Sequence, residues 1–179
     1  MNPVILPGFI REIRMNATDI DETNCIENQN LTQEEVDYLI KTEKYPDRKK
    51  AGYTLPLSGE TLTIPFHSQE RGEKFSIDIE RGRISLKKHK EQLRYKTSIV
   101  LVRMDINGKP HKNPDGNIIG GTHFHLYKEG SKMSWAVPLP PRFTDPNNMT
   151  LTISQFMDYC NVKEKPKLNR NIKDKYVVD

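Results

Sequence analysis

The segment KFSIDIERGRISLK, Lys74 to Lys87, alternates apolar and polar residues in two runs separated by Arg81-Gly82. Phe75, Ile77 and Ile79 fall on one side of the first run and Ser76, Asp78 and Glu80 on the other, which is the pattern of a half-buried strand. Ile84 and Leu86 continue the alternation after Gly82, so the segment is expected to be a β-hairpin with those two side chains inward. Consecutive hairpins build antiparallel sheets with helices set apart from the strands, so this pairing points away from an alternating βαβ chain.

The flanking sequence agrees. TSIVLVRMDI, Thr97 to Ile106, is apolar on both faces over Ile99 to Val102, the mark of a central strand covered on both sides. TLPLS and TLTIPF precede the hairpin, where Pro56 and Pro65 confine them to edge positions. After Asn107-Gly108, the turn Asn113-Pro114-Asp115-Gly116 leads into a strand from His123 to Lys128 and then into Met133 to Pro140. Helical signals occur only at the two ends. Thr32 with Glu35 forms a capping box before Val36, Leu39 and Ile40, and Thr152 with Gln155 is expected to do the same before Phe156, Tyr159 and Cys160. The expected fold is α+β: one domain with an antiparallel twisted sheet of about five to seven strands, one helix before it and one after. Residues 1–30 read as an N-terminal arm, 31–162 as the domain, and 163–179 as a basic tail with no core contribution.

Composition narrows the class. The chain has 179 residues, 35% hydrophobic, and a net charge of +4, which permits an anionic partner without requiring one. The charge is uneven: Arg81 to Lys96 alone carries a balance of +6. Cys25 and Cys160 stand far apart without metal spacing and read as reduced thiols of a cytoplasmic protein. No apolar run approaches the roughly 20 residues of a membrane span, and the N-terminus lacks the pattern of a secretion signal.

GTHFHLYKEG, Gly121 to Gly130, concentrates the chemistry. As a strand it sets His123, His125 and Tyr127 on one face, with three readings. A metal site has the right i, i+2 histidine bite, and His123, His125 and Glu129 resemble the first motif of cupins; the later histidine of that pattern is absent, because none follows His125. An acid/base site for metal-independent RNA cleavage needs a base, an acid and cationic donors for the phosphorane. His111, His123, His125 and Tyr127 would supply the first two, and Arg94 with Lys96 would hold phosphate. The plain alternative is the solvated face of an antiparallel strand. Arg83, Lys87 and Lys88 on the hairpin extend the cationic surface a phosphate backbone requires. Asp115 is a candidate to orient His111 or His123, and Trp135 reads as sheet packing.

The run from Ile79 to Ile84 through RYKTSIVLVRMDING, PHKNPDG, HFHLY and WAVPLP resembles a family of small uncharacterised bacterial proteins, a domain of unknown function. That resemblance spans about Leu31 to Val162 and implies one domain with no transferable activity. In size and in its inventory of histidine, tyrosine and arginine the chain also resembles the ribonuclease toxins of toxin–antitoxin modules. The functional expectation is an RNA-directed protein, as a metal-independent endoribonuclease without cofactor, with RNA and an antitoxin-like protein as partners. Its alternative is a non-catalytic module that binds protein or nucleic acid through the basic hairpin.

Overall fold

A computed structural model describes residues 30–47, 52–85 and 87–173. The expected N-terminal arm, Leu86 and the last residues of the tail lie outside the described residues. Helix α1 (Gln33–Lys41) starts as its sequence dictates: Thr32 accepts from the Glu35 backbone N–H, the Glu35 carboxylate accepts from the Thr32 N–H, and Val36 and Leu39 are buried. Strands β1 (Tyr45–Pro46), β2 (Tyr53–Thr54), β3 (Thr61–His67), β4 (Lys74–Arg81), β5 (His89–Tyr95) and β6 (Ile99–Ile106) follow. Next come β7 (His111–Lys112), β8 (Ile118–Ile119), β9 (His123–Leu126), β10 (Ala136–Pro138), helix α2 (Met149–Tyr159) and β11 (Leu168–Asn169). Seven strands form one antiparallel sheet in the order β1-β3-β4-β5-β6-β9-β10, so the α+β architecture is as the sequence reads.

The hairpin is corrected in its second arm. The partner of β4 is β5, and the described residues between them, 82–85 and 87–88, carry no strand; the Gly82 N–H donates to the Lys88 carbonyl at 2.7 Å. Ile84, expected inward, is fully exposed. Hydrophobic periodicity passes over β5 because two of its core-facing positions carry His89 and Glu91.

The apolar run of β6 is also corrected. Leu93 pairs with Val102 and Arg94 with Val100, so Leu101 is an extra residue, a β-bulge. That insertion, rather than cover on two faces, makes Ile99 to Val102 continuously apolar. Beyond the bulge β6 alternates cleanly, with Val102, Met104 and Ile106 buried and Arg103 and Asp105 half-buried on the other face.

One face of the sheet forms the core. Ile64, Phe66, Phe75, Ile77, Ile79, Leu93, Met104 and Phe124 pack there against Val36 and Leu39 of α1 and Ile153, Phe156 and Met157 of α2. Helix α2 begins one turn before the expected capping box. Asn148 is its N-cap, accepting from the Leu151 N–H, while Thr152 lies inside the first turn with its hydroxyl on the Asn148 carbonyl. The tail contributes to the fold as well: β11 pairs in parallel with β2, and Leu168 packs against the core.

The opposite face is polar and has an order of its own. Cross-strand register aligns Thr63, Asp78, Gln92, Arg103 and His125 in one row. Thr61, Glu80, Lys90, Asp105 and His123 form the adjacent row. Both rows pass through the histidines of β9 before closing on Ala136 and Pro138 of β10, and β7 pairs with β8 in a short hairpin of its own.

Candidate functional site

The two rows bring His123 and His125 beside Asp105 and Arg103, and β7 adds His111. The His111 ring centroid lies 5.7 Å from that of His123 and 4.7 Å from that of His125, which are 4.8 Å apart from each other. One ring nitrogen from each of the three lies within 4.8 Å of one from each of the others. His123 and His125 are buried and His111 is half-buried, so β9 is no solvated strand.

Hydrogen bonds fix the tautomers. His123 Nδ1 lies 2.7 Å from the Gly120 carbonyl. His125 Nδ1 is shared between the carbonyls of Met133 at 3.1 Å and Trp135 at 2.9 Å, and His111 Nε2 is 2.9 Å from the Ser134 carbonyl. A carbonyl only accepts, so each of these nitrogens carries the hydrogen, and the neutral ring is left with a lone pair on its other nitrogen. Those are His111 Nδ1, His123 Nε2 and His125 Nε2. Three consecutive carbonyls, Met133 to Trp135, thus hold two of the rings, and Gly120 the third.

Asp105 Oδ2 faces this group at 3.1 Å from His123 Nε2 and 3.5 Å from His125 Nε2. Arg103 lies across the same oxygen, with Nη2 at 3.0 Å, and donates through Nη2 to His125 Nε2 at 2.8 Å. Gly121 sets the approach of the two segments. A Cβ there would collide with the Gly108 carbonyl oxygen, and the Gly108 N–H donates to the Gly121 carbonyl at 2.7 Å. The cluster opens into a cavity of about 380 Å³ lined by Lys88, Lys90, Arg103, Asp105, Lys109, His111 and His123 among others.

Of the residues expected from sequence, His111, His123 and His125 come together and Tyr127 does not. Tyr127 is buried in the core, its hydroxyl accepting from the Leu31 N–H at 3.1 Å. The cause is the bulge: the Tyr127 N–H donates to the Leu101 carbonyl, opposite the inserted residue, where the facing of side chains changes. Arg94 is also elsewhere, paired to Asp78 with Nε–Oδ2 at 2.7 Å, and Gln92 and Thr63 donate to the same carboxylate. Its partner on β6 is Val100, five residues from Asp105 and so about 16 Å along the strand. Lys96 sits at positive φ in the turn after β5, its ammonium 5.4 Å from the Tyr95 ring centroid. Arg83 and Lys87 are exposed between β4 and β5, and only Lys88 of that group lines the cavity. Asp115 orients neither histidine; it accepts from Asn117 within its own turn.

Arg103 and Asp105 are the site residues that sequence reasoning missed. Their signal was present in VRMDI as polar residues two apart between core positions. The chain belongs to the family of unknown function DUF6978. The family model matches residues 31–162, and that family description carries no activity. No curated protein matches, and no solved structure matches. For this DUF6978 member the geometry therefore carries the functional argument, and the likeness to ribonuclease toxins gains nothing from the comparisons. No helix among the described residues is long and apolar enough to cross a membrane.

Proposed function

We propose that the protein acts on a phosphoryl group bound in the cavity beside the three histidines, with RNA as the polymer that carries it. One observation supports this reading: the cavity joins the histidine cluster to four cationic side chains, Lys88, Lys90, Arg103 and Lys109, against two carboxylates, Glu80 and Asp105. Lys90 is tied to Glu80 at 2.6 Å and Arg103 to Asp105. Lys88 and Lys109 have no ion-pair partner among the described residues. Two uncommitted ammonium groups beside ring nitrogens suit a tetrahedral oxyanion, whose oxygens reach several donors at once. This reading keeps the expected histidines and Lys88 and takes Arg103 and Lys109 in place of Tyr127, Arg94 and Lys96.

A short RNA oligonucleotide and inorganic phosphate test this reading together. Both should bind, and the RNA should be cleaved by the wild type but not by His111→Ala. Replacing Lys88 and Lys109 together by alanine should weaken oligonucleotide binding and reduce the salt slope by about two. Oligonucleotide binding that ignores both lysines, with no cleavage, would sink the proposal. The exposed Ile84 among Arg83, Lys87 and Lys88 favours a second reading, a binding surface formed by these residues between β4 and β5. In that case Arg83→Ala with Lys87→Ala should weaken RNA binding more than the cavity variants do.

A further inference from the structure

We infer that His111, His123 and His125 bind one divalent first-row transition ion of the zinc class beside Asp105. The chemistry of such an ion toward a phosphoryl group rests on the proposed function; its binding does not.

The argument starts from hydrogens. Each of the three rings gives its one N–H to a main-chain carbonyl, so each turns one nitrogen lone pair into the cluster, and of these only that of His125 accepts a hydrogen bond, from Arg103 Nη2. Two of them stand at 3.1 Å and 3.5 Å from a carboxylate oxygen. A lone pair facing a carboxylate at such distances is repulsive unless positive charge lies between them. Arg103 supplies some, through its donation to His125 Nε2, but no donor among the described residues reaches His111 Nδ1, and Arg103 has no bond to His123 Nε2. An extra proton on His123 would serve that nitrogen alone. A cation shared by all three rings would satisfy His111, His123 and His125 together.

The arrangement around the rings is the one metal-bound histidines use. A ligating imidazole ordinarily donates its second nitrogen to a carbonyl or carboxylate, which fixes both the tautomer and the direction of the lone pair. Here that support comes entirely from backbone, which cannot ionise or rotate away. Neutral imidazole donors select zinc, copper, iron, cobalt or nickel over magnesium and calcium, which take oxygen ligands. Three protein nitrogens leave a coordination position open, and this cluster borders the cavity through His111 and His123. A bound ion would lower the pKa of a water held at that position and place hydroxide beside the phosphoryl site. In hydrolysis the hydroxide oxygen would form the new P–O bond, and the ester P–O bond would break with its electron pair leaving on the alcohol oxygen, which takes a proton from solvent. Arg103, displaced from His125 by the ion, would remain on Asp105 at the cavity wall. The sequence pattern misses this site because its third ligand precedes the HFH pair and arrives from a separate hairpin.

The test is equilibrium dialysis of chelator-stripped full-length protein against Zn²⁺, with metal analysis and a melting curve. Wild type should retain one ion per chain and melt at a higher temperature when loaded. His111→Ala, on a half-exposed two-residue strand, should keep the wild-type circular dichroism and lose at least tenfold in affinity. His123→Gln should lose at least as much. Retention of no ion by folded wild type would overturn the site, as would full retention by both variants. Zinc retained without phosphate binding would remove the proposed function and leave the metal site standing. Phosphate binding without zinc would do the reverse.

Discussion

Two groups of histidine and carboxylate lie on opposite faces of the same sheet. On the core face, His89 and Glu91 of β5 are buried at 1% and 0% side-chain exposure, with Nδ1 and Oε1 2.7 Å apart. His89 Nε2 reaches the Pro146 carbonyl at 3.3 Å, so the ring has an acceptor at each nitrogen. On the polar face, His123 and His125 share Asp105, and their unprotonated nitrogens converge with that of His111 near a cavity. The first group uses both nitrogens of its ring on protein acceptors, whereas the second turns one nitrogen of each ring into a shared cluster, where His125 Nε2 accepts from Arg103 and those of His111 and His123 have no donor among the described residues. Residue type is the same in both; what separates a structural histidine from a ligand is where its second nitrogen points.

The largest effect should come from breaking the core pair. Burial pushes the Glu91 carboxyl up, and one oxygen of it has no hydrogen-bond partner among the described residues, so His89 is its main compensation. His89→Ala should therefore cost about 3–5 kcal/mol in urea unfolding. Replacing both residues by apolar ones of similar size should recover much of that loss.

Lys44 tests burial of a charge that has no ion pair among the described residues. Its ammonium donates to the carbonyls of Leu39, Ile40 and Thr42 at the end of α1 and lies 4.6 Å from the Phe75 ring centroid. Burial lowers its pKa to about 8 from an ordinary 10.5. The unfolded chain then binds the proton more tightly than the native one, so stability should rise as pH climbs from about 8 towards 10.5. The gain is about 3 kcal/mol at most, and Lys44→Met should remove this pH dependence from chemical denaturation curves.

Smaller effects belong to the polar face. Gly121→Ala forces a methyl group onto the Gly108 carbonyl and should shift the neighbouring Gly120 carbonyl that holds His123. Zinc affinity should fall about 10- to 100-fold, the usual cost of losing support behind a ligand. Lys88→Ala with Lys109→Ala should leave unfolding within about 0.5 kcal/mol of wild type, as exposed substitutions do, while weakening phosphate binding.

The contrast between the two faces also explains what the sequence could tell. Period-two alternation located β4, and the Thr32 and Glu35 pair located α1, because both signals are local. Strand β5 escaped because a buried histidine and glutamate occupy core positions, so a tertiary ion pair erased the hydrophobic pattern. The bulge at Leu101 misled twice, giving β6 a false second apolar face and assigning Tyr127 to the wrong side of the sheet. At the site, the i, i+2 spacing of His123 and His125 was legible. His111 was legible as a candidate but not as a third ring in contact, since that depends on how the β7–β8 hairpin folds beside β9. Asp105 and Arg103 become site residues only through cross-strand register.

Titration of chelator-stripped wild-type protein with Co²⁺, followed by visible absorption, tests the distinction between the two faces most directly. The account predicts ligand-field bands that saturate at one ion per chain, without a thiolate charge-transfer band, in wild type and in Cys25→Ser alike, because the ligands are imidazole nitrogens and Cys160, the cysteine among the described residues, is buried with its thiol pushed up to about 12. Absence of ligand-field bands, or a spectrum carrying thiolate absorption, would contradict it.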